Sequence, residues 1–187
     1  MHRLFVSIDL PRAVKQELAR IYSDLPGARW VADAQIHLTL RFIGEVDDKV
    51  FQDIREGLAD IKHSAFAMRL AGLGFFPPCK QPHVLWAGAE PVSPIAALRN
   101  RVESVLVQLG LEPEGRKFSP HVTIARLRDT PAATVTRYLA DNALFASSEF
   151  EVEAFHLYSS VLAKNGALHQ IEASYPLIPP SVQQAKY

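Results

Sequence analysis

The chain of 187 residues contains a single cysteine, Cys79. An intramolecular disulfide is therefore excluded, and with no Cys-x-x-Cys pair or Cys/His cluster there is no thiolate zinc site. Net charge is missing as well, since 20 Lys and Arg balance 20 Asp and Glu. A protein that coats nucleic acid displaces counterions along many phosphates and needs an excess of cations, so any contact with nucleic acid must be small and local. No stretch approaches the ~20 apolar residues of a membrane span. The apolar part of the first ten residues is bounded by Arg3 and Asp9 and is too short for a secretory leader's apolar region of about 7–15 residues. Gly72, Gly74 and Gly88 do not form GxGxxG, and no GxxxxGK[ST] loop exists to cradle ATP. These absences predict a soluble cytoplasmic protein with no membrane association. No dimer motif is visible, so a monomer without an obligate protein partner is expected.

What is present suffices for one well-filled domain, with 48% hydrophobic residues. Leu4, Val6 and Ile8 read as a buried strand, and Val14, Leu18, Ile21 and Leu25 as one helical face that ends at Pro26-Gly27. Residues 36–43 alternate with period two, as in a half-buried strand. Asp47-Asp48 opens a second helix carrying Phe51, Ile54, Leu58 and Ile61. Phe66–Leu70 and Val84–Ala87 are predicted strands separated by a Gly/Pro-rich stretch from Gly72 to Pro82. A third helix carries Ile95, Leu98, Val102, Val105 and Leu109. Pro120–Arg126 is strand-like, a short helix follows Pro131, and strands lie near residues 150–158 and 168–173. Pairs of successive strands break any simple strand–helix alternation, which predicts an α+β fold with mostly antiparallel sheet.

Two segments repeat. His37-Leu38-Thr39-Leu40 and His121-Val122-Thr123-Ile124 share the order His, apolar, Thr, apolar, 84 residues apart, and Phe66 and Phe150 recur at the same offset. Asp9 aligns with Glu90 at an offset of 81. For seven His and five Thr in random order, His-x-Thr is expected about 0.2 times. Two copies in matched positions point to one α+β unit duplicated within a single bilobal domain, residues 1–178, followed by a loose tail, 179–187.

Strand geometry turns each motif into chemistry. His37 and Thr39 project together while Ile36, Leu38 and Leu40 face the opposite way, and His121 and Thr123 do likewise. A pseudo-twofold arrangement would aim two imidazoles and two hydroxyls at one small group. With an ordinary pKa near 6.5, one imidazole can take a proton from water while the other gives one to a departing oxygen. The Thr hydroxyls can donate to non-bridging phosphate oxygens. Neither motif has a third ligand at metal spacing, so no metal or other cofactor is expected.

At these residues the sequence resembles the two-histidine phosphoesterases, and among them the RNA 2′,3′-cyclic phosphodiesterases, also called 2′-5′ RNA ligases. The shared blocks are Arg3-Leu4-Phe5 with Asp9-Leu10-Pro11, Arg29-Trp30-Val31, His37 to Glu45, Leu73 to Pro77, Leu85 to Gly88, and Pro120 to Arg126. The resemblance implies a bilobal fold with two mostly antiparallel sheets flanking a central cleft and helices outside. It implies opening of a 2′,3′-cyclic phosphate on RNA 3′ ends or small nucleotides to leave a 2′-phosphomonoester. His37 would be the proton donor and His121 the acceptor, an assignment the nearly symmetric motifs do not make by themselves. It carries over Phe42 as a face for the terminal base and Arg126 as a phosphate contact, although strict alternation puts both on the wrong face unless a bulge or strand end turns them inward. Arg41 shares the face of His37 by alternation and is a weaker candidate. His63, His83, His156 and His169 lack a Thr partner and read as surface or satisfied residues, and Tyr158 is a possible cleft wall. Three other activities fit the same residues: joining or cleaving 2′-5′ linkages, hydrolysis of small cyclic nucleotides, and binding of RNA ends without turnover.

Overall fold

The computed structural model of the chain describes residues 1–77, 81–163 and 166–179, so Cys79 and the tail beyond Pro179 lie outside the described residues. The elements run β1 (His2–Asp9), α1 (Arg12–Ala19), β2 (Ala28–Trp30), a 3-10 turn (Asp33–Gln35), β3 (His37–Val46), α2 (Asp48–Ala59), β4 (Phe66–Phe76) and β5 (Val84–Glu90). There follow α3 (Val92–Gln108), β6 (His121–Leu127), α4 (Ala132–Asp141), β7 (Phe150–Val152), β8 (Ala154–Ala163) and β9 (Gly166–Pro176). The α+β expectation holds, and every pairing between these strands is antiparallel.

The strand order β7-β4-β5-β6-β3-β1-β8-β9 describes two lobes meeting at β6 and β3, with β2 paired to β6 beside that junction. The junction has one registered pair, Leu38 with Val122. Half of the chain does not equal one lobe. β4 follows the first motif but lies beside β5 in the second lobe, and β8 follows the second motif but lies beside β1 in the first. Each half thus donates a strand to the other half's sheet.

Local sequence explains the elements that frame the junction. β1 is buried without interruption from Leu4 to Ile8, as expected for a strand flanked on both edges and covered on both faces. α2 is capped by Asp47, whose carboxylate accepts the Val50 N–H at 2.9 Å, and it buries Phe51, Ile54 and Leu58. On α3, Ile95, Leu98, Val102 and Leu106 are fully enclosed, each contributing roughly 2 kcal/mol of apolar burial. α1 is shorter than its apolar spacing predicts: the helix ends at Ala19, while Ile21 and Leu25 still pack on the core from the following turn.

β4 continues through the glycines expected to lie in a loop. Gly72 sits at φ +71° where the β4–β5 register slips, and Gly74 faces the Trp86 indole so closely that a Cβ there would lie 2.2 Å from the ring. Glycine is therefore what lets the indole lie across the strand.

Candidate active site

Leu38 and Val122 hold the same place in the two motifs, and each is fully buried. An antiparallel pair centred on them sets residue 37 toward 123 and residue 39 toward 121, with all four motif side chains on the face opposite the two buried ones. His37, Thr39, His121 and Thr123 accordingly line one cleft of about 940 Å3. The pairing also corrects the alignment of the preceding strands. Asp9 is opposite His37 and Gly88 opposite His121, so the counterpart of Asp9 is Gly88, at an offset of 79 rather than 81.

Both histidines are anchored two residues upstream. His121 Nδ1 lies 2.7 Å from the carbonyl oxygen of Ser119, and the His37 ring hydrogen-bonds to the backbone of Gln35. With Nδ1–H donated to that carbonyl, His121 keeps Nε2 for chemistry. His37 stacks on Phe5 with 4.9 Å between centroids, and Phe5 stacks on Tyr158 at 5.1 Å. Burial pushes the His37 pKa down to about 4, assisted by His169 and Lys15 and opposed by the Gln35 hydrogen bond and the charge of Asp9. Tyr158 donates to Asp9, with both carboxylate oxygens at 2.7 Å, and burial followed by this contact raises its pKa.

The bulge that the inward placement of position +5 requires is present in both strands. In β3 the register with β1 slips between Val6–Arg41 and Ser7–Thr39, leaving Leu40 as the extra residue. In β6 the register with β5 slips between Leu85–Ala125 and Trp86–Thr123, leaving Ile124. Both extra residues are three positions after the histidine. Each bulge reverses the alternation, so Phe42 and Arg126 line the cleft with their histidines. Phe42 is 58% exposed and is not part of the core. Arg126 is exposed and has no side-chain partner among the described residues.

The same bulge removes the basis for pairing Arg41 with His37. Arg41 reaches the cleft edge, but its Nε donates to Glu103 Oε2 at 2.7 Å, Nη2 to the Glu112 carbonyl at 2.6 Å, and Nη1 to the Phe42 carbonyl. It braces the 111–118 segment instead of offering a free charge. Glu103 also receives Arg99 at 3.4 Å. Among the described residues, the cleft is lined by Arg3, Arg29, Arg41, Arg99, Arg116, Lys117 and Arg126 against a single carboxylate, Glu114, which Arg116 holds at a pKa of about 2. A chain of zero net charge therefore carries a basic cleft.

Among the other histidines, His156 Nδ1 lies 2.9 Å from Ser174 Oγ and His63 Nδ1 lies 2.7 Å from the Ser64 carbonyl oxygen, while His83 is exposed. His169 departs from the expected surface role. It lines the cleft beside His37, with 5.4 Å between ring centroids. Phe76 and Trp86 take the corresponding place near His121, at 5.1 and 6.2 Å. Spacing could not reveal His169 and Phe76, because they come from strands of the opposite half, whereas Trp86 lies on the strand paired with its own motif. The buried side-chain atoms without a hydrogen-bond partner among the described residues are Ser7 Oγ, Trp86 Nε1, Arg99 Nε and His169 Nδ1. Ser7 and Trp86 pair with Thr39 and Thr123, and Arg99 and His169 line the cleft. Unmet polar capacity is thus gathered around the two motifs. Among the described residues no cluster of three His, Cys, Asp or Glu is placed to hold a metal, and no helix is long and apolar enough to cross a membrane.

Comparison with known proteins points to one family. The model of the 2′-5′ RNA ligase superfamily matches residues 10–162. An RNA 2′,3′-cyclic phosphodiesterase of Aeropyrum pernix is 36% identical over 144 residues, covering 75% of this chain and 81% of that protein. One from Thermotoga maritima is 31% identical over 175 residues, covering 90% and 92%. Among solved structures, Escherichia coli LigT in apo form superposes with a TM-score of 0.77 at 25% identity, covering 95% of this chain and 98% of that one. LigT complexed with 3′-AMP superposes with a TM-score of 0.75 at 26% identity, covering 94% and 98%.

Proposed function

Since the chain belongs to the 2′-5′ RNA ligase superfamily, we propose that it hydrolyses 2′,3′-cyclic phosphodiester ends of RNA to 2′-phosphomonoesters, with His37 and His121 as the proton-transfer pair and no metal. The observation that carries this reading is the Leu38–Val122 junction, which turns both His-x-Thr faces into one basic cleft. A volume of about 940 Å3 is at the upper end for small-molecule sites, leaving room for more than the terminal nucleotide.

In this mechanism His121 Nε2 takes a proton from water as its oxygen attacks phosphorus. The bond from phosphorus to the 3′ oxygen breaks, and His37 returns a proton to that oxygen, leaving the phosphate on the 2′ oxygen. Thr39 and Thr123 donate to the non-bridging oxygens, and the Arg126 guanidinium meets the growing negative charge. Phe42 offers an exposed ring for the terminal base. A pKa of about 4 leaves His37 neutral in the empty cleft near pH 7. The phosphodiester anion favours the imidazolium once bound, so substrate and proton enter together.

That low pKa also favours a second assignment, with His37 as base and His121 as acid. With the substrate in the same orientation, the 2′ oxygen would then leave and the product would be a 3′-phosphate. An oligoribonucleotide with a cyclic end, incubated in EDTA and followed by phosphorus NMR, separates the two. A 2′-phosphate is expected, with about 10²–10⁴-fold loss in His37→Ala and in His121→Ala. Absence of turnover by the unaltered chain would sink the reading, and a 3′-phosphate would reverse the roles.

A further inference from the structure

Each motif histidine has an edge-on aromatic neighbour, but only one of those neighbours carries nitrogen. Phe76 meets His121 at 74° between planes. His169, on β9, meets His37 at 90° and Phe5 at 78°, the latter with 5.0 Å between centroids. A phenyl ring satisfies the packing on one side, so the imidazole on the other calls for a different explanation.

His169 lines the cleft with Ser160, its cross-strand partner on β8. Its Nδ1 is enclosed without a hydrogen-bond partner among the described residues. An imidazolium would bury an N–H there with no acceptor, so the surroundings favour the neutral ring with its hydrogen on Nε2. Burial holds the His169 pKa below its ordinary value, in the same direction. The other charged or titratable groups at this corner are engaged elsewhere. Asp9 is taken by Tyr158, Lys15 Nζ by the Asp33 carbonyl at 2.9 Å, and His156 by Ser174. No acceptor among the described residues meets the remaining donor of His169, which is left for solvent or for what enters the cleft.

We propose that His169 is a third substrate-contacting imidazole, donating a hydrogen bond from Nε2 to the ribose phosphate held between His37 and His121, on the His37 side. The proposal rests on the phosphodiesterase reading and adds to it a residue that selects substrates with an oxygen acceptor at that position.

The test compares the unaltered chain with His169→Phe, which keeps an edge-on ring, and His169→Gln, which keeps an amide donor close to the Nε2 position. KM and kcat are measured with a nucleoside 2′,3′-cyclic phosphate, and Kd with a nucleoside 2′-monophosphate. His169→Phe should raise KM and Kd about tenfold at unchanged thermal midpoint, and His169→Gln should stay within about twofold of the unaltered chain. If His169→Phe binds as well as the unaltered chain, or if His169→Gln loses as much as His169→Phe, the ring is packing and the proposal falls. Should His169→Phe not fold, nitrogen NMR of the unaltered chain decides: the His169 ring signal must move on titration with the monophosphate, and a stationary signal overturns the contact. Failure of the unaltered chain to turn over the cyclic phosphate would strike the phosphodiesterase reading instead, while the Kd series still reports on the contact.

Discussion

Replacing His37 by Gln should change how stability depends on pH before any catalysis is measured. The imidazole has a folded-state pKa of about 4 because it is desolvated between Phe5, His169 and the cleft floor, whereas in the unfolded chain it titrates near 6.5. Between those values the unfolded state binds the extra proton, so stability falls as pH drops through 6.5 and levels off below about 4. A difference of about 2.5 pKa units amounts to about 3 kcal/mol in full, of which about 2 kcal/mol is expressed at pH 5. Urea unfolding at pH 8, 6 and 5 measures it. Between pH 8 and pH 5 the unaltered chain should lose about 2 kcal/mol more than His37→Gln, on the order of 1 M in urea midpoint. The loss of stacking on Phe5 is a constant offset, and the other titrating groups, His169 included, are present in both chains. Curves that run parallel from pH 8 to pH 5 would refute the claim that His37 is held neutral by burial.

Arg126→Ala and Phe42→Ala should each raise KM for a cyclic-ended dinucleotide by about tenfold or more while leaving the thermal midpoint within about 2 °C, since both side chains are exposed in the cleft. Gly74→Val should cost several kcal/mol in urea unfolding, because its Cβ would collide with the Trp86 ring beside His121; a near-neutral result would mean the indole has room to move. Glu103→Gln should destabilise by about 3 kcal/mol, as it strands the guanidinium of Arg41, only 11% exposed, and weakens the hold on Arg99; calorimetry showing no change would remove the bracing role assigned to this ion pair.

Alternation alone put His37 and Thr39 on one side and Leu38 on the other, and the fully buried Leu38 and Val122 bear out that parity. The placement of Phe42 and Arg126 needed the bulges at Leu40 and Ile124. Bulges are a property of the pairing with β1 and β5, and the residues themselves look like ordinary members of a period-two strand. Alternation brought Arg41 to the cleft but gave no sign that Glu103 and the Glu112 carbonyl hold its guanidinium there. His169 was illegible for a different reason: it joins His37 across 132 positions of chain through the β8–β9 hairpin, and nothing in its local sequence differs from a solvent-facing strand. The β4 glycines signalled a turn, but one serves a register slip and the other makes room for an indole.

The exchange of β4 and β8 between the lobes makes neither half of the chain self-sufficient. A fragment ending at the β4–β5 connection would hold the first histidine strand without the neighbour β1 needs on its outer edge, and would leave β4 with nothing to pair against. Interlocking of this kind is how a pair of identical short chains can be tied together by trading arms, and fusing two such chains end to end would yield the connectivity seen here. It also makes the strands of the two motif histidines depend on both halves: removing either half leaves an unpaired edge on the sheet that carries the other histidine.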